Sequence, residues 1–455
     1  MSALNAQAPS SVWRGSYAPV TIGAVALVFL AALQSLAVTT VMPVVSDELD
    51  GAALYAVAFA GTLATSVIGM VAAGAWADRS SPIKPLTAAV LLFVIGLLIA
   101  GVATSMPMLV AGRLIQGLGV GGQTVSLYVI VARVFPSELH GRVFAAFSAA
   151  WVIPSLIGPF LAGAVTEYLH WRWVFLGVAE LTVCAFVMVF VRLRGRDLHT
   201  DDPTGGGTAK RLALAVVVAS SALVLSLSGE FGQWAWVGVV VSLTAMALAI
   251  RPLLPRRALV AGRGLPSVVL MRGLIAGSLF GAEIYIPYLL IDEYDFSPTW
   301  AGLGLTAGAL TWALAAELQG RFGDRVGNTR IAVIGSSLLF AAVIIAAATA
   351  ALQLPPAVMI GGWALSGLGM GLMYPRLTVL TLAYSAPQNQ GFNSSALSIS
   401  DSIGSASTMA IMGVVFTALA STGAGFTAVF LISAVLAVVA LIPGLRLGHA
   451  AETRV

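Results

Sequence analysis

The sequence predicts an all-α polytopic membrane protein, built from two six-helix bundles with a two-helix hairpin inserted between them. Three observations support this. The 455 residues are 59% apolar and 9% charged, whereas a soluble domain carries about 25% charged residues. The apolar residues fall in runs of about 20, the length of helix that crosses a bilayer core of about 30 Å. Two motifs also recur, in the same order, in the two halves of the chain.

Each apolar run is predicted to be a helix, because lipid cannot hydrogen-bond an exposed backbone. The N-terminal bundle, 1–192, contains spans near 17–43, 55–77, 85–104, 107–132, 143–166 and 172–192. The segment 193–266 holds charged linkers and a hairpin with spans near 212–229 and 234–251. The C-terminal bundle and a short tail, 267–455, contain spans near 267–291, 300–320, 329–351, 355–384, 392–420 and 423–446.

The distribution of charge predicts the orientation of these fourteen spans, because Lys and Arg collect in short cytoplasmic loops. Of the 23 Lys and Arg residues, Arg113, Arg272 and Arg376 lie within spans and Arg172 lies on the acidic side. All the others fall on one side, which is therefore predicted to be cytoplasmic together with both termini. We expect a multi-pass protein of the cell (inner) membrane whose partners are the lipid bilayer and a small molecule, without nucleic acid.

Several other classes of protein are excluded by missing motifs. GLGVGG, at 117–122, lies inside an apolar span without a preceding strand, so it does not indicate a nucleotide site. The sequence lacks a P-loop, which argues against an ATP-driven pump. It also lacks a catalytic constellation, which argues against an enzyme. No Cys or His cluster has the spacing of metal ligands. We therefore expect neither a metal nor a bound cofactor.

Internal repeats indicate that the two bundles arose by duplication. GAWADR at 74–79 matches GRFGDR at 320–325, and RLIQGLGVGG at 113–122 matches WALSGLGMGL at 363–372. The offsets, 246 and 250 positions, place each pair at the same point in the span count of its half. Parallel repeats are an architecture of transporters, whose binding site lies near the membrane midplane between the halves.

These motifs resemble those of the major facilitator superfamily over the whole chain. The extra hairpin, the pair Gly158-Pro159 and HWRWVF at 170–175 resemble the fourteen-span drug:proton antiporters of the EmrB/QacA-like branch. The resemblance implies a monomeric exporter of hydrophobic or amphipathic compounds that is driven by the proton gradient. A proton-coupled importer, or a lipid or metabolite carrier, would have the same fold. A non-transporting receptor is a third possibility.

The two Asp-Arg motifs are predicted to be conformational latches. A carboxylate at the end of a span can bind the N-terminus of a neighbouring helix or an Arg, and a Gly one turn earlier lets that helix approach closely. The resemblance assigns such loops to closing the cytoplasmic side. The alternative is an Arg that only orients the chain and caps a helix end. The latch residues are Gly74, Asp78, Arg79, Gly320, Asp324 and Arg325.

Charged and polar residues inside the spans are the candidates for proton coupling. A lone Arg within a bilayer costs about 2.5–3.5 kcal/mol and normally has a partner, so we expect Arg113 to pair with Glu180 or Glu283. The resemblance places Arg113 in a proton relay, often with an acid in the first span. Here Gln34 occupies that place, and Gln cannot titrate.

Glu283 is the leading candidate to replace that acid, because it lies at a similar depth in the repeat-related span. Neighbouring Tyr285 and Tyr288 suit an aromatic or cationic ligand. The alternative is a Glu that is paired structurally or reaches the outer interface. Asp401 and Arg376 lie at matching depths, which predicts a salt bridge, either broken during the cycle or permanent. Glu180 is either a partner of Arg113 or an interfacial acid.

The fifth span carries a motif for helix packing, formed by Gly158, Pro159 and Gly163. Pro kinks a helix and Gly lets helices approach. The resemblance associates this motif with exporters that exchange a substrate for protons. Generic packing of helices is the alternative.

Overall fold

The computed structural model describes residues 12–448 apart from 14, 16, 52–53, 197, 199–207, 228–233, 297–299, 302–303 and 420–421. These residues form helices and connecting turns, without strands. The first half comprises α1 (Ala18–Glu48), α2 (Tyr55–Ala77), α3 (Ile83–Gly101), α4 (Met106–Val134), α5 (Ser137–Tyr168) and α6 (Arg172–Leu193).

The remaining helices form the hairpin and the second half. The hairpin consists of α7 (Thr208–Leu227) and α8 (Ala235–Ile250). The second half comprises α9 (Leu265–Glu283), α10 (Tyr285–Asp292), α11 (Thr306–Val326), α12 (Asn328–Leu352), α13 (Pro356–Ala383), α14 (Gln390–Leu419), α15 (Gly425–Val439) and α16 (Leu441–Gly444). Helices α9 and α10 together form one span, as do α15 and α16.

Twelve segments of the described chain are long and apolar enough to cross a membrane, so this is a multi-pass membrane protein. Helices α5 and α11 are the two other long helices in the bundles. Helix α11 carries Glu317, Arg321, Asp324 and Arg325 near its end, which lowers its hydropathy. That α5 and α11 also cross the membrane, which would make fourteen spans, therefore remains a prediction.

Each half has its own apolar core. In the first half, Phe93, Trp171 and Phe175 are fully buried among α1 to α6. In the second half, Trp363 and Phe430 occupy the centre of a separate cluster. A third, smaller cluster joins the hairpin to α2 and to α14. Packing within each half therefore keeps it together, while the contacts between the halves are fewer.

Hydrogen bonds between helices repeat from one half to the other. Thr65 Oγ1 of α2 donates to the carbonyl of Leu114 in α4 at 2.8 Å. Thr311 Oγ1 of α11 donates to the carbonyl of Ala364 in α13 at 2.7 Å. The donors are offset by 246 positions and the acceptors by 250, which are the offsets of the two sequence motifs. The duplication inferred from the sequence is therefore repeated in the packing.

Two pseudo-symmetric contacts join the halves on one side of the membrane. Helix α2 meets the start of α14 where Gly74 lies against Gly391, and α11 meets the start of α5 where Gly320 lies against Gly141. Arg133, at the end of α4, reaches the end of α2 and the segment before α14. Both Asp-Arg motifs therefore lie on the same side, the one predicted to be cytoplasmic.

The repeated hydrogen bonds predict equal costs for equivalent substitutions. Thr65→Val and Thr311→Val should each lower the free energy of unfolding by about 0.6–1.7 kcal/mol, the usual worth of an interhelical hydrogen bond in a membrane. Thermal unfolding of the detergent-solubilised protein measures this. Thr87→Val is the control, because among the described residues the Thr87 hydroxyl donates only to the Ile83 carbonyl, within its own helix. Unequal costs for the two positions would contradict the symmetry.

Candidate functional site at the interface of the two bundles

Asp78 binds the N-terminus of α14 across the interface of the bundles. Its Oδ1 accepts a hydrogen bond from the backbone N–H of Gly391 at 2.6 Å, and its Oδ2 accepts one from Phe392 at 2.8 Å. The first N–H groups of a helix lack partners and carry a partial positive charge. The Asp78 carboxylate thus accepts hydrogen bonds from the free N–H groups of α14 and balances the partial positive charge there. It also joins α2 to the second half.

Two glycines make this contact possible. A Cβ at Gly74 would lie 2.5 Å from the carbonyl oxygen of Gly391, closer than real side chains come. A Cβ at Gly391 would collide with the Gly74 carbonyl and with the Asp78 carboxylate. Larger residues at either position would therefore push α14 out of reach of Asp78.

Arg133 joins the same corner from α4. Its guanidinium donates to the carbonyl of Ala77 at 2.9 Å, at the end of α2, and to that of Pro387 at 3.3 Å, just before α14. It also donates to the carbonyl of Leu198 at 2.8 Å, in the linker after α6. The Arg133 side chain thus joins the last turn of α2, where free carbonyls favour a cation, to the segment before α14 and to the linker after α6.

Burial raises the pKa of Asp78 to about 6, from an ordinary value of 3.8. Desolvation is the largest cause, since Asp78 is 5% exposed. The two backbone N–H groups oppose the rise, and so do the positive charges of Arg133 and Arg211. The closed corner therefore holds a carboxyl group that titrates near neutral pH.

The second Asp-Arg motif makes a different contact. Asp324 is 84% exposed at its side chain, and its Oδ1 accepts a hydrogen bond from Arg376 at 2.6 Å within the same half. Arg376 also donates to Asn328 at 2.7 Å. Helix α5, the repeat equivalent of α14, has Glu138 in its first turn, whereas α14 has no acid there. Asp324 therefore does not repeat the contact of Asp78 and pairs with Arg376 instead.

The arginines of the two motifs, Arg79 and Arg325, are both exposed. Arg325 lies 5.9 Å from the ring of Phe322 in its own helix.

A buried ion pair, missed in the sequence, lies deeper at the interface. Arg272 of α9 donates through Nε to Asp401 Oδ1 of α14 at 2.9 Å, with its side chain 4% exposed. The hydroxyl of Tyr374, in α13, donates a hydrogen bond to the same oxygen at 2.6 Å. The centroid of the Tyr374 ring lies 3.0 Å from Arg272 Cζ. The prediction that Asp401 pairs with Arg376 is wrong, because Asp324 binds Arg376 and Arg272 reaches Asp401 first.

The first half contributes Tyr128 to this cluster. Its hydroxyl interacts with Arg272 and with Thr378. Tyr128 on α4 and Thr378 on α13 are 250 positions apart, so the two are repeat equivalents. Arg272 thus lies where equivalent points of the two halves face each other, which is the central axis of the molecule.

Glu283 lies on the same face of α9 as Arg272, because a separation of eleven positions makes just over three full turns of a helix. This places it about 17 Å further along the helix. Glu283 is half-buried, and within the described part of the chain it forms no hydrogen bond or ion pair. The helix breaks immediately after it, at Ile284, because Pro287 has no N–H to bond the Glu283 carbonyl.

An aromatic cluster follows this break. Tyr285 is buried and packs on Phe416 of α14 with ring centroids 5.1 Å apart. Tyr288, 45% exposed, contacts Phe416 at 5.3 Å and Phe426 of α15 at 5.2 Å. The carboxylate and two tyrosines predicted from the sequence are therefore neighbours along one interrupted span, and both tyrosine rings are engaged by phenylalanines.

The predicted carboxylate partner of Arg113 is not found among the described residues. Arg113 is buried and donates to the carbonyl of Ala58 at 3.1 Å and to Gln116 Oε1 at 2.7 Å. Glu180 is exposed on α6, so the expected pair is wrong. Polar groups of α2 and α4 satisfy the guanidinium instead. Gln34 is fully buried, and neither end of its amide has a hydrogen-bond partner in the described residues.

The motif of the fifth span lies in one continuous helix, α5. Gly158 is buried, and a Cβ there would make ordinary contact with Leu33 at 3.5 Å. A Cβ at Gly163 would have no atom of the described residues within 4 Å, so these residues do not show the expected tight packing at Gly163. The side chain of Pro159 lies outside the described residues.

Comparisons with known proteins match this architecture. The family model of the Major Facilitator Superfamily matches residues 24–282 and 268–453. The chain belongs to the major facilitator superfamily. The solved structure of the proton:xylose symporter XylE has the same fold, with a TM-score of 0.68, 15% identity and coverage of 93% of this chain and 94% of XylE.

Two bacterial relatives are named as drug transporters. The multidrug transporter protein MdtP of Bacillus subtilis is 24% identical over 407 residues, covering 87% of this chain and 74% of MdtP. The multidrug efflux pump SdrM of Staphylococcus aureus is 24% identical over 403 residues, covering 87% of this chain and 89% of SdrM.

The raised pKa of Asp78 predicts a pH dependence of the closed corner. Asp78 has a higher pKa in the closed state than in an open state that exposes it, so protonation of Asp78 stabilises the closed state. This stabilisation is complete below about pH 3.8 and is lost as the pH rises through about 6. Lowering the pH from 7.5 to 5 should raise the ratio of closed to open protein about tenfold. Asp78→Asn should remove this dependence.

Spin labels at exposed Lys84 and Ala386 would measure the opening, in a background in which the single cysteine is replaced, Cys184→Ser. Their separation is followed by pulsed electron resonance in nanodiscs. An equal pH response in the Asp78→Asn variant would contradict the assignment to Asp78.

The buried pair Arg272–Asp401 predicts a large cost for breaking it on one side. Asp401→Asn should destabilise the protein by about 3–5 kcal/mol, because it leaves a buried charge without its partner. The double variant Arg272→Gln with Asp401→Asn should recover most of this loss, as measured by thermal unfolding. The control is Glu317→Gln, since Glu317 pairs at the surface with Arg321. A double variant no more stable than Asp401→Asn would contradict the pairing.

Proposed function

We propose that the protein is a proton-coupled exporter of hydrophobic or amphipathic small molecules that works by alternating access. The observation that carries this proposal is Glu283, a half-buried carboxylate without a partner in the described chain, at a break in a span lining the bundle interface. Interrupted spans are where secondary transporters bind substrates and coupling ions. Asp401 differs from Glu283, because Arg272 and Tyr374 both donate hydrogen bonds to its carboxylate.

The surroundings of Glu283 suit a hydrophobic or cationic compound. Tyr285 and Tyr288 continue from it as an aromatic surface together with Phe416 and Phe426. Aromatic faces attract cations as well as apolar groups. A proton and a cationic substrate would compete for the same carboxylate, and such competition is the basis of exchange. The relatives MdtP and SdrM, named for multidrug transport and efflux, support this class of substrate.

The latch at Asp78 supplies the conformational part of the cycle. Binding of Asp78 to α14 closes the predicted cytoplasmic side, assisted by Arg133 and by the contact between Gly320 and Gly141. Opening of this side requires the carboxylate to leave the helix N-terminus. Asp324 would act differently from its repeat equivalent, by holding Arg376 inside the second bundle. Gly74 and Gly320 would set the distance of closest approach.

Flux in proteoliposomes with an imposed pH gradient tests the proposal, with ethidium as the probe. The wild type should move ethidium against the direction of proton flow. Glu283→Gln should lose the pH-driven part of this flux, because the amide cannot release a proton. Glu317→Gln is the matched control, since its carboxylate is exposed on α11 and, within the described residues, pairs only with Arg321.

Three outcomes would overturn parts of the proposal. Movement of ethidium in the same direction as protons would make the protein an importer. A flux that ignores the gradient in the wild type would exclude proton coupling for this probe. Unchanged pH dependence in the Glu283→Gln variant would show that another group couples the proton.

A further inference from the structure

The inserted hairpin packs against both halves of the molecule. Helix α7 runs along α2 of the first half and also contacts α14 of the second half. The apolar cluster at this junction draws on α2, α4, α7, α8 and α14; its buried members include Val71, Val125, Val218, Met246 and Ile399. The hairpin therefore bridges the same two helices that the Asp78 latch joins.

A charged residue of the hairpin lies at the latch itself. Arg211, in the first turn of α7, places its guanidinium 4.3 Å from the centroid of the Phe392 ring. Phe392 is the residue whose backbone N–H donates to Asp78. Arg211 also acts on Asp78 electrostatically, since its charge lowers the pKa of that carboxyl group against the larger effect of burial.

The contact with Phe392 is a property of Arg211 and not of the neighbouring positive residue, Lys210. Lys210 has the same charge and comes immediately before it, yet its side chain is exposed, while Arg211 is half-buried against α14. A guanidinium stacks on an aromatic ring better than an ammonium does. The positive-inside rule explains a positive charge here, but it does not explain contact of this Arg with an aromatic residue of the other half.

The hairpin also contacts α14 further along the span. Ser407 Oγ of α14 donates to the sulfur of Met246 in α8 at 3.6 Å. Ile399 of α14 is fully buried in the shared cluster. These contacts extend over about 22 Å of α14, from Phe392 to Ser407. Opening of the predicted cytoplasmic side separates α2 from α14, so the hairpin must release one of them.

We propose that the inserted hairpin is a brace that stays with the first bundle and stabilises the closed latch by presenting Arg211 to Phe392. This inference rests on the alternating access of the proposed function. Helix α7 stays with α2 because it packs along that helix, while it meets α14 through fewer contacts. Arg211 is thus a positioning residue: it acts on the start of α14, which Asp78 then binds.

The spin-label pair at Lys84 and Ala386 tests the brace in nanodiscs, without substrate or gradient. Arg211→Gln and Phe392→Leu should each lower the ratio of closed to open protein about five- to thirty-fold, the effect expected of one partly buried cation–π contact. The two effects should not add, because either change removes the same contact. Arg211→Lys should recover part of the ratio.

Lys210→Gln is the matched control and should leave the distances unchanged. Unchanged distances in the Arg211→Gln variant with a normal melting temperature would overturn the proposal, and so would an equal shift in the Lys210→Gln variant. If the Arg211→Gln variant does not fold, Phe392→Leu tests the same contact from the other helix, and unchanged distances there would likewise overturn it.

The outcome for the brace is separable from that for export. A shift in distance in the Arg211→Gln variant, together with a wild type that moves no ethidium under a pH gradient, would support the brace and refute the proposed coupling. Normal coupled flux in the wild type, together with unchanged distances in the Arg211→Gln variant, would refute the brace alone.

Discussion

A charge inside a membrane needs a partner, and this constraint organises the interior of the protein. Arg272 meets it with Asp401 and Tyr374, and Arg113 meets it with Gln116 and a backbone carbonyl. Each arginine links its own helix to at least one neighbouring helix, α4 to α2 for Arg113 and α9 to α13 and α14 for Arg272. Glu283 differs, because its half-buried carboxylate has no partner in the described chain. For this reason the proposed proton coupling is assigned to Glu283.

The two halves share their neutral contacts between helices but differ in their charged contacts. Neutral contacts are repeated: Thr65 with Leu114 matches Thr311 with Ala364, and each half places a Gly of its Asp-Arg motif against the other half. Charged contacts are not repeated, since Asp78 binds a helix N-terminus while Asp324 binds an arginine. The frame of helices is therefore symmetric between the halves, whereas its charged contacts are not.

Expectations from the sequence were accurate for helices and less accurate for partners. Counting residues along each span predicts one depth for Arg376 and Asp401. Their pairing was wrong because depth leaves the rotation of each helix undetermined, and Asp324 and Arg272 lie nearer. Arg133 and Arg211 gave no distinguishing signal, since both look like ordinary arginines of a positive inner side.

The amino-acid sequence by itself determined the class of fold, the approximate spans and the internal repeat, because the length and polarity of a segment decide how it meets a bilayer. It also marked Asp78 and Glu283, whose charges stand out in an apolar chain. Only the tertiary structure decided which groups meet: Asp78 with the start of α14, Arg272 with Asp401, and Arg211 with Phe392. Such meetings depend on how distant helices turn toward one another, and that rotation is set by packing across the whole molecule.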